Sequence, residues 1–226
     1  MRTTPQWERD FLRRLAHRDP APPLALRPHP PGKPMTLLLL GLLIFLGTHS
    51  LRIVAEPWRE AQRARLGENA WKGLLSVVSL AGFALIVWGY GLARQAPVVL
   101  WSPPVATRHL AGLLMLVSFV MLAAAYVPRN AIKARLRHPM VLGVKVWALA
   151  HLLANGNLAD LLLFGSFLVW AVMSFRAARG RDRAAGTVYP ACTAAGTAAT
   201  VVAGLLAWAG FAFWAHTAWI GVRPFG

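Results

Sequence analysis

Four histidines, His49, His138, His151 and His216, fall within or at the edges of long apolar stretches, where an ionisable side chain is expensive. Neutral imidazole is a ready metal ligand, and two imidazoles facing each other from different helices can hold the iron of a b-type haem without covalent attachment. The same residues have a plainer use, because a histidine inside a helix bundle can bridge its neighbours by hydrogen bonds and bind nothing. His109 opens a further apolar run, and His17 and His29 lie in a Pro- and Arg-rich stretch and are set aside. Asp160 is an acid at the start of an apolar run, where a solvated side chain facing a helix N-terminus is expected rather than a proton path. The lone Cys192 excludes an internal disulfide, a four-thiolate metal site and the C-x-x-C-H attachment of c-type haem, so any cofactor is to be held by histidines or oxygens. The sequence has no Gly-x-Ser-x-Gly elbow, phosphate-cradling Gly-rich loop or His-Glu-x-x-His zinc helix.

The elements that position these side chains are organised around Arg137 to Asn157. Pro139 suits the first position of a helix, where its missing N–H is no loss, and Asn155-Gly156-Asn157 supplies residues that end a helix in a tight turn. Between them lie one cation, Lys145, and one histidine, His151, in an otherwise apolar run. Gly143, Trp147 and His151 recur at every fourth position, so one face carries a small, a large and a polar residue, fit to hold something or to meet another helix.

Of the 226 residues, 57% are hydrophobic and the mean hydropathy is +0.49, with apolar runs long enough to cross a bilayer. The fold class is therefore all-α, a polytopic transmembrane bundle of about six helices. Spans are expected near 35–51, 73–92, 109–127, 139–154, 158–175 and 193–219, the first and fourth being short. The chain carries 24 Lys and Arg against eight acids. In a membrane protein such an excess belongs in loops on the cytoplasmic side, and no basic patch interleaves with aromatics, so nucleic acid is not an expected partner; the lipid bilayer is. The loops after spans one, three and five carry Arg52, Arg59, Arg63, Arg65 and Lys72, then Arg129, Lys133, Arg135 and Arg137, then Arg176, Arg179, Arg181 and Arg183. The opposite loops and the C-terminus carry Arg94, Arg108 and Arg223, which places the first three loops in the cytoplasm.

Residues 1–34 differ from the rest. They are rich in arginine and proline, a composition that builds no core, and are expected to be a disordered extension preceding a membrane domain of residues 35–226. Their cations would have to cross the membrane in this topology, which suggests a working start at Met35. Trp88, Tyr90, Trp101, Trp214 and Trp219 fall near span ends and Trp58 and Trp71 flank the first cytoplasmic loop, as interfacial anchors do. Gly41, Gly47, Ser76, Ser79, Gly82 and the stretch from Ala194 to Gly204 offer small surfaces for close helix packing. Depth along straight helices pairs His49 with His138 and His151 with His216, and sets His49 and His151 about 10 Å apart along the membrane normal.

The chain resembles the NnrU family of bacterial membrane proteins, to which the plant 15-cis-zeta-carotene isomerase is related. The resemblance rests on Gly47-Thr48-His49-Ser50-Leu51-Arg52, on Leu66-Gly67-Glu68 through Trp71-Lys72-Gly73-Leu74, on Arg137-His138-Pro139, and on Trp147-Ala148-Leu149-Ala150-His151 through Asn155-Gly156, closing with Ile220-Gly221-Val222. Asn157 stands where many members have an aspartate. For the bacterial members the family implies a part in nitrite and nitric oxide reduction in the inner membrane, with reductase components as partners. In the plant isomerase the matching histidines hold haem b, which makes His49 and His151 the implied ligands here, with His138 and His216 as further candidates. That enzyme also uses a cysteine three residues before the second histidine, and this chain has Ala148 there. Two readings follow: an accessory membrane protein of denitrification whose histidines bind haem b, and a haem-dependent isomerase or redox enzyme acting on a lipid-soluble polyene. A bundle whose histidines only bridge helices is the third.

Overall fold

The computed structural model describes residues 5–6 and 32–225. The expected disordered extension lies outside those residues for most of its length, but its end, Gly32 to Pro34, forms the first turn of a helix. That helix, α1 (Gly32–Val54), is followed by α2 (Glu56–Leu66), α3 (Glu68–Ala93), α4 (Ala106–Tyr126), α5 (Ala131–Leu136), α6 (Pro139–Ala154) and α7 (Leu158–Ala184). The last helix, α8, runs from Ala194 to Gly210 and continues through a π-helical turn, Phe211–Ala215, into His216–Ile220. Five of these rods are long and apolar enough to cross a membrane and α6 is a shorter apolar helix, so the chain is an all-helical, multi-pass membrane protein.

Local chemistry sets the boundaries. Pro139 opens α6, Asn130 caps α5 by accepting from the Lys133 N–H at 2.7 Å, and Thr193 caps α8 by accepting from the Gly196 N–H at 3.0 Å. Gly67, at φ +79°, makes the corner between α2 and α3 that a side chain would strain. The structure departs from the sequence expectation in three places. The loop after α1 folds into the charged helix α2, the loop after α4 contains α5, and α7 continues to Ala184 rather than stopping near residue 175. Nothing between Phe175 and Ala184 forbids the extension, since Gly180 alone costs a helix only about 1 kcal/mol.

The rods pack in the spatial order α3, α1, α7, α6, α4, α8, so α7 joins the pair formed by α1 and α3 to the group formed by α6, α4 and α8. The α1/α3 contact is the most extensive and is made by small residues. A Cβ on Gly41 would stand 2.6 Å from the Ile86 backbone nitrogen, and one on Gly82 would stand 2.8 Å from that of Phe45. Gly47, also expected at a helix contact, has nothing near it. The buried apolar cluster lies where α1, α3, α6 and α7 meet, around Leu38, Leu42, Ile86, Ala148, Leu163 and Phe164. At one end of the bundle the segment between α3 and α4 is tied to the turn between α6 and α7. The Leu100 and Trp101 N–H groups donate to the Gly156 carbonyl at 2.8 and 3.1 Å, and the Leu158 N–H donates to the Val98 carbonyl at 2.8 Å. Gly156 is required there because any Cβ would collide with the Trp101 backbone.

Candidate functional site

His49 projects from the second half of α1 and His151 from the last turn of α6, and both rings are held in the same way. Nδ1 of His49 lies 2.7 Å from the Phe45 carbonyl and Nδ1 of His151 lies 2.9 Å from the Trp147 carbonyl, each one helical turn back. A carbonyl only accepts, so Nδ1 carries a proton in both rings, which in the neutral ring leaves the Nε2 lone pair for a ligand role. This is the tautomer and anchoring of a metal-ligating imidazole.

An aromatic ladder connects the two. His49 stacks on Phe45 at 4.3 Å, Phe45 meets Phe167 at 5.8 Å, Phe167 meets Trp147 at 5.4 Å, and Trp147 meets His151 at 5.4 Å. Helix α7 supplies the rail. Phe164 stacks on His151 at 4.5 Å and Trp170 meets His49 edge-on at 6.1 Å, with Phe167 between them. Six residues of helix correspond to about 9 Å of depth. Two imidazoles on one iron need their nitrogens about 4 Å apart, since each metal–imidazole bond is about 2 Å. Each donor nitrogen suits iron singly, but as two axial ligands of one haem the pair does not fit this packing, in which Phe45, Phe167 and Trp147 occupy the interval. Ala148, at the position of the plant enzyme's cysteine, is fully buried and offers no thiol.

The other histidines are placed as follows. His138 is not beside His49; its Nε2 lies 2.9 Å from the Asp182 carboxylate, which also accepts from the Tyr189 hydroxyl at 3.0 Å. Arg137 stands over the Tyr189 ring at 5.1 Å, and together these contacts bind the start of α6 to the end of α7. The Nδ1 of His216 donates to the Val222 carbonyl at 2.7 Å. Among the described residues, no three His, Cys, Asp or Glu side chains are grouped to hold a metal ion.

Asp160 corrects the expectation of a solvated acid, being only 3% exposed. One carboxylate oxygen accepts from the Tyr90 hydroxyl at 2.5 Å, and the other from the Asn157 backbone N–H at 3.3 Å and side-chain amide at 2.8 Å. Tyr90, expected as an interfacial anchor, therefore points inward across the α3/α7 contact, and the helix-start acid is satisfied by protein instead of water. Trp71 likewise is buried against α2, its ring edge-on to Trp58 at 6.0 Å, whereas Trp88, Trp214 and Trp219 are exposed as anchors are.

Sequence reasoning missed a recess of about 680 Å³ between the end of α1, helix α2 and the start of α3. His49 and Thr48 border it, with Arg52, Arg59, Arg63 and Lys72 at its rim and Ser76 and Ser79 deeper in. Arg63 donates to Glu68 at 3.0 Å, and that contact raises its already high pKa, keeping the guanidinium charged. The available signal was the spacing of Lys72, Ser76 and Ser79, which places polar groups one turn apart on a face of an apolar span.

No curated protein and no solved structure matches the chain. A family model described as NnrU protein matches residues 37–224, which include the recess, the ladder and all four histidines, and the chain belongs to the NnrU family.

Proposed function

We propose that this chain is an accessory membrane protein of nitrite and nitric oxide reduction, seated in the bacterial inner membrane beside reductase components. The observation that carries the reading is membership of the NnrU family across residues 37–224, joined to the denitrification role that the family resemblance implies. The arrangement of side chains agrees with support rather than turnover: the bundle interior is a packed apolar cluster of mainly Leu, Ile and Ala with Phe164, and the polar recess opens at the cation-rich end, where soluble or peripheral partners have access. The test is deletion of the gene in its host, growth on nitrate, and measurement of nitrite and nitric oxide consumption with and without a complementing copy. Slowed consumption restored by the copy is the expected result, and unimpaired consumption would overturn the reading.

The haem-dependent isomerase is the second reading, and the anchored Nδ1 atoms of His49 and His151 favour it. Their separation along α7 weighs against one haem bridging both. An absorption spectrum of the detergent-purified protein before and after dithionite separates the two. A Soret band abolished by His49→Ala and by His151→Ala alike would establish joint ligation and displace the accessory reading as first choice.

A further inference from the structure

We propose that the recess between α1, α2 and α3 binds the phosphate of an anionic phospholipid from the leaflet on the cation-rich side. Helix α2 is charged along most of its length yet leaves Trp58 and Leu66 about half exposed, and such a helix sits at headgroup level with its apolar side chains turned toward the acyl boundary. The rim formed by α2 is therefore at phosphate height.

The rim cations are held in place and still have donors to spare. Arg59 pairs with Glu56 and Glu60, Arg63 with Glu60 and Glu68, and Lys72 with Glu68. Both carboxylate contacts of Arg59 go through one nitrogen, Nη1, which leaves the rest of a five-donor fork for an oxyanion. Four cations, Arg52, Arg59, Arg63 and Lys72, and two glutamates, Glu60 and Glu68, line the recess, so the rim keeps a positive excess.

Below the rim the wall turns polar where lipid is apolar. Ser76 lines it, and the hydroxyls of Thr48 and Ser79 lie 3.2 Å apart across the α1/α3 seam. The Thr48 hydroxyl is already satisfied by the Phe45 carbonyl at 2.7 Å, so the notch stands without a ligand, and the lone pairs left on its hydroxyls are what the hydroxyls of a glycerol headgroup would meet. The same face of α3 then turns apolar again. One turn steps lead from Leu75 and Ser79 to Phe83 and Val87, which are 51% and 56% exposed and offer a track for an acyl chain. A free phosphate would use the rim alone; a phospholipid uses rim, notch and track.

The test places the full chain in nanodiscs of phosphatidylcholine, with and without phosphatidylglycerol, and follows the thermal unfolding midpoint. Phosphatidylglycerol is expected to raise the midpoint by about 4 °C, as a bound ligand does for a chain of this size. The shift is expected to vanish in Arg59→Gln/Arg63→Gln and to persist in Arg135→Gln/Arg176→Gln, which removes two exposed cations elsewhere. An equal shift in both variants would refute the site. Inorganic phosphate added to phosphatidylcholine discs is expected to give no shift, and a full shift there would replace the lipid by free phosphate. Native mass spectrometry of the wild-type protein gives a second readout that needs no variant to fold. One retained phosphatidylglycerol in preference to phosphatidylcholine supports the proposal, and no preference overturns it.

Discussion

Replacing Tyr90 by phenylalanine tests the contact that closes α3 onto α7. The Asp160 carboxylate is 3% exposed and accepts three donated hydrogen bonds, of which the 2.5 Å bond from Tyr90 is the only one from another helix. A hydrogen bond to a carboxylate contributes about 1.5–3 kcal/mol. Tyr90→Phe keeps the ring that packs edge-on against Phe164 at 6.3 Å, so the loss is that of the hydroxyl. A cost of about 2 kcal/mol corresponds to a fall of about 6 °C in the unfolding midpoint of a chain of this length. The assay is circular dichroism against temperature in detergent, run beside Tyr126→Phe, whose ring is 77% exposed and makes no hydrogen bond among the described residues. A double-mutant cycle with Asp160→Asn should return a coupling of about 1–2 kcal/mol, because the two groups touch. A midpoint no lower for Tyr90→Phe than for Tyr126→Phe, or a coupling near zero, would refute the buried pair.

Other substitutions follow the same logic. Gly82→Leu should prevent the close approach of α1 and α3, because a Cβ already meets the Phe45 backbone at 2.8 Å; loss of the monodisperse peak on size-exclusion chromatography in detergent is the check. Phe167→Ala opens the middle of the ladder and should cost about 3–5 kcal/mol, while Val169→Ala, 60% exposed on the same helix, should cost less than about 0.5 kcal/mol; the two midpoints compared directly decide it. Asp182→Asn should loosen the junction of α6 and α7 by weakening the His138 and Tyr189 contacts, which increased hydrogen exchange of amides 185–189 would register, with unchanged protection at 143–154 as the matching control.

The amino-acid sequence by itself determined the class of the protein, because an apolar run of span length has no stable alternative to a helix in lipid. It determined the bounds of α6 to the residue, since Pro139 and Asn155-Gly156 mark both ends chemically, and it marked Gly41 and Gly82 as places where helices approach. The family resemblance was legible for a similar reason: its motifs are short, contiguous and tied to those same turns. Tertiary structure decided what contiguity cannot express. Periodicity places Phe164, Phe167 and Trp170 on one face of α7, but only the packing of α7 between α1 and α6 sets those rings between His49 and His151. Asp160 looked like a solvated acid because its partner, Tyr90, lies 70 residues away along the chain, at a span end that also suits an interfacial anchor. The recess was hidden because its cations came from a stretch expected only as a loop after the first span; folding that loop into α2 gathers Arg59 and Arg63 above Ser76 and Ser79. Helix boundaries follow from local backbone chemistry, whereas sites follow from which helix faces meet, and lipid, being as apolar as leucine, leaves that choice to small residues and to a few buried polar contacts.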